Sequence, residues 1–272
     1  MSILMMYLKK ALEKKYLDEV HLWERCRNEK DRAWVKSLET DSIKVYNSDD
    51  KFSNIYKYYQ DSDDLFLKLD DDIVYVNIDE IPDIFKFLQQ QPDNLMFVSP
   101  ICINNPTHYN LTNIPALLGH NCSSVVDTMC DVDYLKKAHY FFTNHFDKVR
   151  ATIFNPLINT PYQAMGLRSP KTQYNTCGHS IGCAWGIEYQ GYIPVNTIFF
   201  KKQLCKYLTD NNYGNDDEPY LNFPKLDKKY FNMVYNSVFG SHLSYGGQDI
   251  NLGDDIKEII DSYRTLATLV LK

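Results

Sequence analysis

Apolar residues recur at helical spacing near the start of the chain. Leu4, Leu8, Ala11 and Leu12 share one face, which predicts a helix over residues 4–16. The apolar run EVHLW (19–23) predicts a strand, followed by a helix over 29–39 and a strand at SIKVY (42–46). SNIYKYYQ (53–60) has a helical pattern, and LFLKL (65–69) and IVYVN (73–77) have the look of strands. IPDIFKFLQQQ (81–91) predicts a helix with Pro82 in its first turn, and NLMFVSP (94–100) another strand. Short strands alternating with helices through residue 100 predict an α/β fold with a mostly parallel central sheet flanked by helices.

The pattern changes beyond residue 105. Residues 155–178 carry three prolines and no periodicity, which predicts a long loop of the kind that serves as a lid or binding loop. IGCAWGIEY (181–189) and GYIPVNTIFF (191–200) have strand patterns, and GNDDEPYLN (214–222) predicts a turn opening a short helix. SVFGSHLSYGGQ (237–248) predicts a strand running into a glycine-rich turn, and residues 254–271 a closing amphipathic helix. With no internal repeat or low-complexity tract, the expectation is one domain over 1–272.

Composition narrows the function classes. A chain of 272 residues with 44% hydrophobic and 14% aromatic content has the material for a packed globular core. The 35 acidic against 29 basic side chains, a net charge of −6, argue against a nucleic-acid partner. No run of apolar residues is long enough for a membrane span, and the first residues lack a signal-peptide pattern. Seven cysteines, an odd number without a C-x-x-C pair, read as scattered reduced thiols. The expectation is a cytoplasmic enzyme.

The sharpest chemical feature is the turn Asp70-Asp71-Asp72 between two apolar strand patterns. Carboxylates two apart can both reach one hard cation, which completes its shell with substrate phosphates. D-x-D also occurs at Asp61/Asp63 and Asp131/Asp133, but only Asp70/Asp72 lies between two β-type runs. Three carboxylates at a buried strand end repel one another unless something cationic offsets them. The reading is therefore a divalent metal site, for Mn²⁺ or Mg²⁺, over a merely solvated acidic turn.

In order and spacing, LDEVHLWERCRNEKDRAWV (17–35), FLKLDDDIVYVN (66–77) and FVSPICINNPTHY (97–109) resemble GT-A-type glycosyltransferases. HSIGCAWG (179–186), NDDEPYLN (215–222) and SHLSYGGQ (241–248) resemble the second half of small, anchorless members from fungi and large algal DNA viruses. The resemblance implies a GT-A-like, Rossmann-like domain with a nucleotide-sugar half (1–105), an acceptor half (106–250) and the closing helix (251–272). It implies a cation held by Asp72 with Asp70 and the late His242, bridging the diphosphate of a nucleotide sugar, with UDP-sugar as the expected donor. The acceptor is then a hydroxyl of a glycan or glycoprotein. Asp217 or Glu218 matches the acidic position that serves inverting members as base. Trp185 and His179 fall where the acceptor is held, and Arg25, Asn28, Asp31 and Asp71 where the nucleoside is contacted. The family places a strand before the first helix, a departure that bears on the donor pocket. Arg168 and Lys171 in the long loop read as solvated charges.

A competing reading is a magnesium-dependent phosphatase of the haloacid-dehalogenase type. Asp70 to Val74 satisfies its D-x-D-x-V motif, with Asp70 as nucleophile, Asp72 as acid, Lys201 as its lysine and 214–217 as its late acidic motif. That motif usually opens the chain's first strand, and the reading leaves GSHLSYGGQ unexplained. A third reading is a non-catalytic sugar-binding protein.

Overall fold

The computed structural model describes residues 2–47, 53–104, 132–146, 195–210, 221, 231–244 and 253–272. Helix α1 (Ser2–Glu13) buries Leu4, Tyr7, Leu8 and Ala11 against the strand Ile73–Val76. It stops short of the predicted residue 16 because Lys15 turns left-handed, with φ 58°. Tyr16 N then donates to Ala11 O and Lys15 N to Leu12 O, which satisfies the last carbonyls.

Strand β1 (Val20–Glu24), helix α2 (Glu29–Lys36) and strand β2 (Ile43–Asn47) form a β-α-β unit whose two strands pair in parallel, as expected. Helix α3 (Ser53–Tyr59), strand β3 (Leu65–Leu69) and strand β4 (Ile73–Val76) follow. A 3₁₀ turn (Ile78–Glu80) leads into helix α4 (Ile81–Gln89) and strand β5 (Leu95–Ile103), every residue of which is buried. Helix α5 (Val132–Asn144), strand β6 (Thr197–Lys201), helix α6 (Lys202–Asp210), strand β7 (Phe231–His242) and helix α7 (Asp255–Val270) complete the described elements.

The main sheet corrects the expectation of a mostly parallel one. Its order is β3-β6-β5-β7-β4, and of its four pairings only β5 with β7 is parallel. The pairings make β3 antiparallel to β6, β6 to β5 and β7 to β4, with β5 and β7 parallel, so β3 and β4 point in opposite directions on either side of residues 70–72. The chain therefore reverses at the acidic turn. The fold shown is mixed α/β.

Beta3 and β4 nevertheless sit at opposite ends of the strand order. Four strand spacings of ~4.8 Å would hold them roughly 19 Å apart in a flat sheet. The four steps from Leu69 to Ile73 reach at most about 14 Å. The sheet must curl until its two ends approach, and the acidic turn bridges the gap. By the pairing directions β3, β5 and β7 run the same way, so their carboxyl ends share one rim with the start of β4.

Helices cover this sheet: α4 packs on β6, α6 on α3 and β6, and α5 on β5 and α7. Phe97, Phe142, Phe199, Phe239 and Tyr263 are fully buried between the layers. The two helices beyond the predicted elements, α5 and α6, have the amphipathic faces that this packing needs. Among the described residues no helix is long and apolar enough to cross a membrane.

Candidate metal centre

The rim brings Asp70, Asp72 and His242 together. Each offers a ligand atom, and the three atoms lie within 4.8 Å of one another. Asp70 ends β3, its N–H donating to Asn196 O at 2.9 Å. Asp72 precedes β4, and its carbonyl accepts from Leu243 N at 3.0 Å. Ile73 pairs across the ladder with His242, so β7 ends beside the acidic turn. The result places His242 Nε2 3.0 Å from Asp72 Oδ2.

Gly240 makes that approach possible. A β-carbon there would stand 3.0 Å from Cys102 Sγ and 3.3 Å from Tyr75 O, on the two strands flanking β7. Burial pushes the Cys102 thiol up to about 12, so it is no thiolate donor beneath the cluster.

The site's electrostatics fit a hard divalent cation. Asp70 and Asp72 are half-buried and His242 is buried. Asp72 Oδ1 is shielded from water and accepts no hydrogen bond from the described residues, an arrangement costly for a carboxylate oxygen. Lys68 Nζ donates to Asp70 Oδ1 and to Val195 O, both at 2.8 Å, and neutralises one of the two carboxylates. Two carboxylates and an imidazole are a donor set that Mn²⁺ and related ions accept. A cation between Asp72 Oδ2 and His242 Nε2 would take the place of the direct contact they make.

The remaining predicted residues lie elsewhere. Asp71 is exposed at the tip of the turn. Asn28 and Asp31 are spent on each other: Asn28 Oδ1 accepts from Asp31 N at 2.9 Å, and Asn28 Nδ2 donates to Asp31 Oδ2 at 2.6 Å. That is an N-cap of α2. Arg25 is exposed just past β1. Asp217, Glu218, Trp185, His179, Arg168 and Lys171 fall outside the described residues. Lys201 pairs with Leu65, at the far end of β3 from Asp70, and donates to Gln91 O at 2.6 Å. It cannot serve Asp70 as the phosphatase reading requires.

Two groups behind the cluster escaped the sequence reading. His139, on the buried face of α5, has Nε2 2.8 Å from Leu243 O. A carbonyl only accepts, so Nε2 carries the proton. Nδ1 of the neutral ring then accepts from Tyr263 Oη at 2.7 Å, and Tyr263 in turn accepts from Ser241 Oγ at 2.7 Å. Burial, foremost, holds the imidazole of His139 down at about 4. Asn104, just past β5, is 3% exposed and left-handed, with φ 53°. Its Nδ2 donates to His242 O and Leu243 O, both at 3.2 Å. The one sequence signal was a polar residue on an otherwise apolar helix face, at His139.

Comparison of the chain with protein-family models, curated proteins and solved structures finds no match.

Proposed function

We propose that the chain is a metal-dependent glycosyltransferase that moves a sugar from a nucleoside-diphosphate sugar, with UDP-sugar the expected donor, to a hydroxyl of a glycan or glycoprotein. One observation carries the reading: Asp70 and Asp72, early in the chain, meet His242, late in the chain, within 4.8 Å at one rim of the sheet. That rim gathers the carboxyl ends of β3, β5 and β7 with the start of β4. The phosphatase alternative assigns no role to His242, and the Lys201 it invoked lies at the far end of β3 from Asp70.

In this reading Asp72, Asp70 and His242 hold a divalent cation. When bound, the cation neutralises the charge that builds on the departing diphosphate. Lys68 adds a second positive charge beside Asp70. Asp217 or Glu218 takes the acceptor proton in an inverting transfer.

The test is thermal unfolding with Mn²⁺ and a panel of nucleoside diphosphates and nucleotide sugars. Stabilisation of about 2.7 kcal/mol is expected at a hundredfold excess over Kd. The shift should require Mn²⁺ and vanish in Asp72→Asn. A shift with Mg²⁺ and a phosphate mimic, but with no nucleotide, would overturn the transferase reading in favour of a phosphatase.

A further inference from the structure

The last two residues of the β7 rim are held more firmly than a strand end requires. Leu243 N donates to Asp72 O, and the carbonyls of His242 and Leu243 accept from Asn104 Nδ2. Leu243 O also accepts from His139 Nε2. Three separate pieces of chain, the acidic turn, the end of β5 and the middle of α5, thus converge on the two peptide units that follow His242.

Asn104 is the unusual member. It is a non-glycine residue at φ 53°, a conformation that costs energy and persists only where its surroundings over-determine it. Asparagine tolerates this region better than most residues. The left-handed turn ends β5, the parallel neighbour of β7, and leaves the Asn104 amide against the two β7 carbonyls. Its side chain is buried, so it has no surface role. Pinning the carbonyl of His242 itself and the one after it holds the backbone on the carboxyl side of the His242 Cα, and so limits the direction in which its imidazole leaves the strand.

We propose that Asn104 is a positioning residue for the metal centre. It presents the His242 imidazole to the cation side of Asp72 and does not itself touch the ion. This inference rests on the metal-site reading above. Residues that orient a metal ligand without binding the ion usually alter affinity by ~10- to 100-fold when changed.

The experiment measures Mn²⁺ binding by electron paramagnetic resonance on the full chain, together with the nitrogen modulation that a coordinated imidazole imprints on the bound ion. Wild type, His242→Gln, Asn104→Gly and Asn104→Asp are compared. Glycine accepts the left-handed backbone but loses the amide. Aspartate keeps the size and tolerates the backbone but donates nothing, and it stands in if the glycine variant does not fold. The expected result is nitrogen modulation in the wild type, its absence in His242→Gln, and its loss or marked weakening in the Asn104 variants with about tenfold weaker binding. A merely structural Asn104 would change the melting temperature and leave the modulation intact. Modulation and affinity equal to wild type in folded Asn104 variants overturn the positioning role alone. A wild type that binds Mn²⁺ no better than Asp72→Asn removes the metal reading and this inference with it.

Discussion

Acidification should destabilise the protein through one buried ring. His139 is neutral in the folded state because burial excludes water from it. The nearby His242 opposes its protonation further, while the bond to Leu243 O works in the other direction. The net effect lowers it from 6.5 to about 4. In the unfolded chain the ring protonates near its ordinary value, so the unfolded state binds a proton that the folded state refuses. Stability from this residue is therefore complete above pH 6.5, declines as pH falls below that, and is exhausted near pH 4. The full gap is worth about 3 kcal/mol. Between pH 7 and pH 5 the loss is about 2 kcal/mol, since the folded ring still resists protonation there. Urea unfolding followed by tryptophan fluorescence at pH 7, 6 and 5 measures it, with His139→Gln as reference. Glutamine can donate to Leu243 O but has no proton to gain over this range. Carboxylates titrate alike in both proteins, so the difference in slope belongs to His139. If the two proteins lost the same stability between pH 7 and pH 5, the buried neutral imidazole would be refuted.

Three further outcomes are expected. Lys68→Met removes the ammonium that occupies Asp70 Oδ1, and should tighten Mn²⁺ binding by about tenfold in titration, or about 1.4 kcal/mol; unchanged or weaker binding contradicts the competition. Gly240→Ala places a methyl group against Cys102 Sγ and a backbone carbonyl, and should cost about 1–3 kcal/mol in urea unfolding; a neutral effect would mean that the strands flanking β7 part easily. Asn28→Ala should cost about 1 kcal/mol through the lost helix cap, with Asn28→Ser restoring it, whereas a residue needed only for a nucleotide would leave stability unchanged.

Local patterns made much of this protein legible. The runs LFLKL and IVYVN are strands, the Asp70–Asp72 turn joins them, and the late histidine of SHLSYGGQ meets that turn. Each of these depended on neighbours in the chain or on a motif. The curl of the sheet did not, because strand order is set by partners far away: Leu69 pairs with Thr197 and Ile73 with His242. Periodicity reports which face of a strand is apolar, and cannot say which strand lies beside it. Asn104 was illegible for the same reason, its partners being carbonyls that any sequence possesses. Asn28 and Asp31 carry a second signal. Polar residues after a strand resembled a nucleotide contact, whereas their spacing of three is also that of a helix cap.

The curled sheet also sets an order of events during folding. Beta3 and β4 are synthesised early, yet each finds its ladder partner only in β6 or β7. Neither strand pairs with the other across the acidic turn, so no local hairpin can hold Asp70 and Asp72 in place while the chain is still short. Contacts of such long sequence separation make folding slow, because the intervening chain must be ordered before they reward it. The Asp70–Asp72–His242 cluster is thus among the last features to form, once β7 has closed the rim. Mn²⁺ uptake during refolding would then act as a clock for completion of the whole sheet, lagging behind the recovery of helical signal from α1.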